Sequence, residues 1–241
     1  MNRILLSFLM VMCGAIAACQ SNPPISSNVP APQPAETSDP KAAFDEKMYL
    51  FANPDVKQLI EQGKYKSGLD HYTQVGQTTK KPDGEDYESF FLGTDGNDTV
   101  QGFGKGKHAH VAGVAFEIVP KKDDPIPLKP KSLGKGEKDI LIGSLEGGNE
   151  FVLGSFITSV SPKPEPFYVG QGDADFAQVQ NFTPSKDTIM LAGQPQQYKF
   201  EPKEGNVRIS TASGDLVAIV EGVNQLQVDQ VTKDFGIFTV K

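Results

Sequence analysis

Alternating apolar and polar positions dominate the last third of the chain and predict β-strands. The alternation runs through residues 176–180, 206–210 and 235–240, and a period of two places every second side chain on one buried face. Residues 216–220 are apolar throughout, which predicts a central strand buried on both faces. Glycines separate these segments as turns. We therefore predict a C-terminal antiparallel, strand-rich cap over residues 161–241.

Helical spacing replaces this alternation near the start, over residues 41–78. Phe44, Met48 and Phe51 form an apolar stripe that ends before Asn53-Pro54. Asn53 is predicted to cap the next helix, because its side chain can accept an exposed amide while Pro54 takes the first helical position. A third short helix is predicted over residues 67–76. The sequence thus predicts a small α module ahead of the strands.

A glycine- and aspartate-rich repeat lies between these two regions. Residues 93–101 read GTDGNDTVQ and match the nonapeptide G-G-x-G-x-D-x-U-x at all defined positions but the second. In this repeat, glycines permit tight turns, while the aspartate and the turn carbonyls ligate calcium between stacked turns. The apolar residue, here Val100, points inward from a short strand.

The neighbouring repeats keep only part of this pattern. Residues 134–142 retain Asp139 and Leu141 but carry Glu137 at a glycine position, and residues 147–153 place Asn149 or Glu150 near the ligand position. The candidate calcium ligands are Gly93, Asp95, Gly96, Asn97, Asp98, Asp139 and Asn149.

These motifs resemble the haemolysin-type (RTX-like) calcium-binding β-roll, especially in cyanobacterial exported proteins. The resemblance covers a degenerate roll over residues 90–160, with Pro/Lys-rich interruptions at 120–133 and 161–166, and the cap that follows it. The string around Asn53-Pro54-Asp55-Val56 resembles a helical module that often accompanies such repeats. The resemblance implies a mainly β protein, in which a short helical segment precedes a β-roll or β-solenoid, with calcium as the cofactor. The alternative is a solenoid that is held by its apolar ladder without calcium.

The N-terminus has the features of an export signal. Arg3 precedes an apolar run and small residues, which predicts a secretory signal peptide over residues 1–18. Ile16-Ala17-Ala18-Cys19 resembles a bacterial lipobox, and this implies lipidation of Cys19 and a place in the cell membrane or outer membrane, facing the periplasm or the cell surface. Six prolines in residues 20–40 predict an extended tether over residues 19–40. The alternative is an ordinary signal peptide that is cleaved near Ala18.

Composition excludes several classes of protein. With 30 acidic and 23 basic residues the net charge is −7, which argues against a nucleic-acid partner because phosphates require a basic face. The two cysteines are too few for a disulfide framework or a four-cysteine zinc site.

Catalytic motifs are absent from the sequence, apart from one weak candidate. His108 and His110 would face the same side of a strand, where two imidazoles can bind a metal, but no third ligand is visible nearby. We therefore predict a non-catalytic binding or structural envelope lipoprotein whose further partner is an envelope polysaccharide or protein. The alternative is a cell-envelope hydrolase with a metal site near His108 and His110.

Overall fold

Stacked parallel strands form the main body of the protein in the computed structural model, which describes residues 43–121 and 126–241. The predicted signal peptide, Cys19 and the tether lie outside the described residues. The described residues belong to one compact unit, Ser38–Lys241.

The strands form a β-solenoid of about three turns, in which each turn adds one strand to each of two sheets. In spatial order, sheet 1 contains β1 (Glu88–Leu92), β3 (His108–Ala112), β7 (Asn149–Val152), β9 (Thr188–Ala192), β14 (Ile237–Val240) and β13 (Val228–Thr232). Sheet 2 contains β10 (Tyr198–Lys203), β11 (Asn206–Thr211), β12 (Leu216–Val220), β8 (Phe176–Gln180), β6 (Lys138–Ile142) and β2 (Thr99–Gln101). A separate hairpin pairs β4 (Phe116–Ile118) with β5 (Leu128–Pro130).

Two apolar ladders fill the interior of the solenoid. In sheet 1 the ladder is Phe91, Val111, Phe151 and Ile189, each paired with the next in parallel register. In sheet 2 it is Val100, Leu141, Val179 and Val220. All eight side chains are at most 1% exposed, so their burial is a main source of stability. The prediction that Val100 and Leu141 point inward is confirmed.

The predicted fold class is confirmed: the protein is mainly β, with a small helical segment before a β-solenoid. The parallel stacking continues beyond residue 160, because β8 and β9 extend both apolar ladders through Val179 and Ile189. Within the two large sheets, antiparallel pairing between strands is confined to β10–β12 in sheet 2 and to β9, β14 and β13 in sheet 1. Leu216–Val220 is a central strand between β8 and β11, as predicted.

The helical segment comprises α1 (Glu46–Ala52), α2 (Pro54–Glu61) and α3 (Gly68–His71), followed by a π-helical turn over Tyr72–Gly76. Single 3₁₀ turns occur at Gly172–Ala174, Pro195–Gln197 and Lys233–Phe235. No helix among the described residues is long and apolar enough to cross a bilayer.

Asn53 occupies the N-cap position of α2 and Pro54 begins the helix, as predicted, but the Asn53 side chain makes no capping hydrogen bond. The buried Asn53 amide donates to the carbonyls of Tyr49 and Glu88, and its Oδ1 accepts the Glu88 amide at 3.2 Å. Asn53 therefore joins the helical segment to the outer edge of β1, where the Asp45 amide also donates to the Phe90 carbonyl at 2.8 Å.

Two insertions interrupt the turns, between β3 and β6 and between β7 and β8. The first contains the β4–β5 hairpin, and the second folds back on it: Thr158 Oγ1 donates to the Leu128 carbonyl at 2.8 Å. The Tyr168 amide donates to the Leu133 carbonyl at 2.8 Å. These bonds position Tyr168 beside the amino end of β6.

Candidate functional site

The predicted calcium ligands lie on two different edges of the solenoid. Asp98 and Asp139 are neighbours at the amino ends of β2 and β6, where the chain enters sheet 2. Asn149 begins β7 on the other edge, where the chain enters sheet 1. The structure therefore brings the residues of the 93–98 turn together with Asp139, but not with Asn149.

The Asp98 carboxylate closes its own turn. Its Oδ2 accepts the Thr94 amide at 2.6 Å and the Thr94 hydroxyl at 3.1 Å. Gly93 is required by packing here, because a Cβ at this position would overlap with the Gly113 carbonyl and lie 2.8 Å from Asp98 Oδ2. Gly96 adopts a φ of +109°, which favours glycine. Asn97 Oδ1 accepts the Lys138 amide at 2.7 Å, so it joins the first turn to the second.

Asp139 is buried, and both of its carboxylate oxygens accept hydrogen bonds. Oδ1 accepts the Asp98 amide at 2.8 Å, and Oδ2 accepts the Tyr168 hydroxyl at 2.6 Å. Burial raises the pKa of Asp139, while the hydrogen bonds from Tyr168 and Asp98 counteract that rise. Asp139 therefore links two successive turns through protein groups alone.

Tyr168 was missed by the sequence analysis. It lies in the second insertion, is fully buried and has a φ of +57°. Its ring covers Gly134, where an added Cβ would come within 2.6 Å of the ring, and a Cβ at Gly113 would overlap with both the Tyr168 hydroxyl and the Asp139 carboxylate. The space beside Asp139 is thus filled. No sequence spacing connects residues 139 and 168, so no motif could reveal this pair.

Asn149 is held in a similar way on the other edge. Its Oδ1 accepts the Ser144 amide at 2.9 Å, and its backbone and side-chain N–H groups donate to Asp187 Oδ1 at 2.8 and 2.9 Å. Asp187 Oδ2 accepts the Thr183 amide at 2.8 Å. The spacing T-x-x-x-D is shared by Thr94–Asp98 and Thr183–Asp187, but it also occurs at Thr79–Asp83 and Thr211–Asp215, so the sequence alone does not single out Asp187.

Carboxylate oxygens suitable for calcium occur together at one place among the predicted ligands, where the 93–98 turn meets Glu137. Glu137, also missed as a ligand, has a buried Oε2 without a hydrogen-bond partner among the described residues. Burial raises the pKa of Glu137, and the charges of Asp139, Asp95 and Asp98 raise it further. Asp95 is exposed. We call Asp95, Asp98 and Glu137 the acidic corner; a cation there would neutralise carboxylates that now repel one another.

The geometry of the described residues does not preform a metal site. Within residues 43–121 and 126–241, no group of three or more His, Cys, Asp or Glu side chains is arranged to hold a metal ion. Asp139 and Asn149 are already saturated with hydrogen bonds. Calcium would therefore require the acidic corner to close around it.

The two strand histidines do face the same side, as predicted. His110 lies between two glutamates, with Nε2 2.8 Å from Glu88 and Nδ1 3.4 Å from Glu150, and its ring stacks on Phe90 at 4.7 Å. Burial lowers the pKa of His110, but the hydrogen bonds and charges of Glu150 and Glu88 outweigh it and raise the pKa to about 10. A protonated imidazole has no lone pair for a metal. His108 Nε2 lies 3.8 Å from the Asp86 carboxylate. The two histidines therefore give little support to the metal site that the hydrolase alternative requires.

No model of a known protein family matches the chain. A search of curated proteins finds no significantly similar sequence. The resemblance to RTX-like rolls therefore stays a prediction from the motifs.

The first prediction concerns the Tyr168–Asp139 pair. Tyr168→Phe removes the only donor to Asp139 Oδ2 among the described residues and leaves a buried carboxylate oxygen unpaired, so the free energy of unfolding should fall by about 1–3 kcal/mol at pH 7. The loss should be smaller at acidic pH, because burial raises the pKa of Asp139 and a carboxyl that takes up a proton depends less on the donor. Urea denaturation measures both values.

Tyr65→Phe is the matched control, since the Tyr65 hydroxyl has no hydrogen bond to another described residue. It should change stability by less than about 0.5 kcal/mol. Equal stability of the Tyr168→Phe variant and the unaltered protein would show that Asp139 does not depend on the hydroxyl.

The second prediction concerns the charge on His110. Above pH of about 6.5 the unfolded chain releases this proton, whereas the folded protein keeps it until about pH 10. The stabilisation is therefore complete below about pH 6.5 and is lost as the pH rises to 10, at up to about 1.4 kcal/mol per pH unit. His110→Gln should remove this slope from urea denaturation curves measured between pH 6 and pH 10.

His108→Gln is the control. The ring of His108 lies 3.8 Å from a single carboxylate, so this variant leaves His110 and its two glutamate partners unchanged and should retain the slope. The same pH dependence in the His110→Gln variant and the unaltered protein would contradict the assignment.

Proposed function

We propose that this protein is an exported lipoprotein that is tethered to a membrane through Cys19 and serves as a non-catalytic binding or structural module of the cell envelope. The observation that carries the proposal is the β-solenoid, a rigid frame in which the polar groups of the predicted site are largely bonded to one another. Such a frame suits presentation of a surface better than chemistry, which requires a free nucleophile or base.

The anchor is supported by the sequence. Ile16-Ala17-Ala18-Cys19 stands at the end of an apolar segment of signal-peptide length, and a proline-rich stretch follows. A single acyl chain binds a membrane only marginally, whereas the two chains of a diacylglycerol hold stably. The proline-rich residues would then separate the solenoid from the lipid surface.

Calcium is the proposed ligand of the acidic corner. Asp95, Asp98 and Glu137 supply the carboxylate oxygens that calcium prefers, and the orphan Oε2 of Glu137 is the observation that supports a ligand there. When bound, calcium would neutralise these carboxylates and cross-link the first two turns. Extracellular calcium modules commonly have a Kd of about 10⁻⁴ to 10⁻³ M.

The lipid anchor is tested in a bacterial host that processes lipoproteins, by feeding labelled palmitate. The unaltered protein should incorporate label and partition into detergent, because the thiol of Cys19 receives the lipid, and Cys19→Ser should do neither. Cys13→Ser is the matched control, since it changes the other cysteine, within the predicted signal peptide. Label on the Cys19→Ser protein, or its absence from the unaltered protein, would refute the anchor.

Calcium binding is tested by thermal melting in calcium and in chelator. With about 5 mM calcium and a Kd of about 0.5 mM, binding should stabilise the fold by about 1.4 kcal/mol. Asp95→Asn with Glu137→Gln should abolish this difference, whereas Glu61→Gln with Glu204→Gln, which changes two exposed glutamates, should preserve it. Identical melting of the unaltered protein in both conditions would refute calcium binding at this corner.

A further inference from the structure

A second polar feature lies on the edge of the solenoid opposite the acidic corner. It is a cleft of about 410 Å³ at the carboxyl ends of β8 and β12, between the loop after β8 and the loop that leads from β12 to β13. Its volume falls within the range of small-molecule sites.

The floor of the cleft is apolar and anchored. Phe182 and Val223 are each 7% exposed, and the Phe182 ring packs on Phe151 at 6.0 Å. Gln227 and Lys241 pair through their backbones, with N–O distances of 2.8 and 2.9 Å. The cleft is therefore built on the core rather than on a loop alone.

Three carboxamides line the cleft and are unused. Asn224, Gln225 and Gln227 are exposed, and none of their side chains hydrogen-bonds to another described residue. Each carboxamide offers two N–H donors and one acceptor oxygen in a plane. Elsewhere in the fold, by contrast, Asn53 and Asn149 use their carboxamides fully.

The charged groups at the cleft are already paired. Lys241 Nζ lies 2.5 Å from Asp229 Oδ1. The Glu221 carboxylate, just before the loop, accepts from the side chains of Gln178 and Gln180. The side chains that line the cleft thus present neutral donors and acceptors, without an unpaired charged side chain of the kind that a charged ligand would need.

We propose that this cleft binds a neutral sugar unit of an extended saccharide. Neighbouring hydroxyls of a pyranose both donate and accept hydrogen bonds, as the three carboxamides do, and the C–H face of the ring suits the apolar floor. This inference rests on the proposed function as an envelope binding module and names its ligand class.

The test uses the full chain carrying Cys19→Ser, so that the absence of a lipid does not affect the result. Saturation-transfer NMR and calorimetry are run with cellohexaose, maltohexaose and chitohexaose. At least one should bind, and combined Asn224→Ala, Gln225→Ala and Gln227→Ala should weaken that binding at least about tenfold, since each lost hydrogen bond weakens it several-fold.

Gln58→Ala with Gln62→Ala, two exposed carboxamides at the end of α2, is the control and should leave binding unchanged. Circular dichroism checks that the triple variant still folds. The proposal is overturned if none of the three hexasaccharides binds, if the triple variant binds as well as the unaltered cleft, or if charged oligogalacturonate binds equally and with the same dependence on the carboxamides. Failure of acylation would leave all these outcomes unchanged, so the two proposals fail separately.

Discussion

The hydrogen bond from the Asp98 amide to the buried carboxylate of Asp139 joins two successive turns, and the rest of the solenoid depends on bonds of this kind between turns. Asp139 is 1% exposed, and burying its carboxylate is costly unless its oxygens are hydrogen-bonded. In this fold, the donors come from neighbouring turns: the Asp98 amide serves Asp139, and the Asn149 amide serves Asp187. The same bonds fix the register of one turn on the next, so the polar edges and the apolar ladders specify a single alignment.

The insertions supply part of this hydrogen bonding, so they are more than additions to a core that is complete without them. Asp139 receives only one donor from the stacked turns, and the second comes from Tyr168, which the second insertion carries back to β6. Because its amide also binds Leu133 in the first insertion, Tyr168 joins both insertions to the solenoid. This dependence accounts for the glycines at 113 and 134, which leave space for the ring and the hydroxyl.

Sequence reasoning succeeded where the determinant is local. The inward positions of Val100 and Leu141, the helix start at Pro54 and the central strand at 216–220 follow from periodicity and from single-residue geometry. It failed where the partner is distant. Asn53 is a residue type typical of helix caps, yet its carboxamide hydrogen-bonds to a strand edge 35 residues away. The Tyr168 hydroxyl donates to a carboxylate 29 residues before it. Glu137 was set aside because it breaks the repeat, although the break itself places a carboxylate beside Asp98.

The two edges of sheet 2 differ in which polar groups have no hydrogen bond within the protein. This difference distinguishes groups that stabilise the solenoid from groups that are available on its surface. At the amino ends of its strands, Asp139 is saturated, whereas Glu137, Asp175 and Asp215 each keep a buried carboxylate oxygen that has no hydrogen-bond partner among the described residues. At the carboxyl ends, the charged side chains of the cleft are paired, and the carboxamides of Asn224, Gln225 and Gln227 make no hydrogen bond to another described residue. Since a solenoid can satisfy its polar groups by turn-to-turn bonds, groups left without a bond are not needed for folding. Because these groups are carboxylates at the amino ends and carboxamides at the carboxyl ends, the proposed calcium and saccharide sites fall on opposite edges of one sheet.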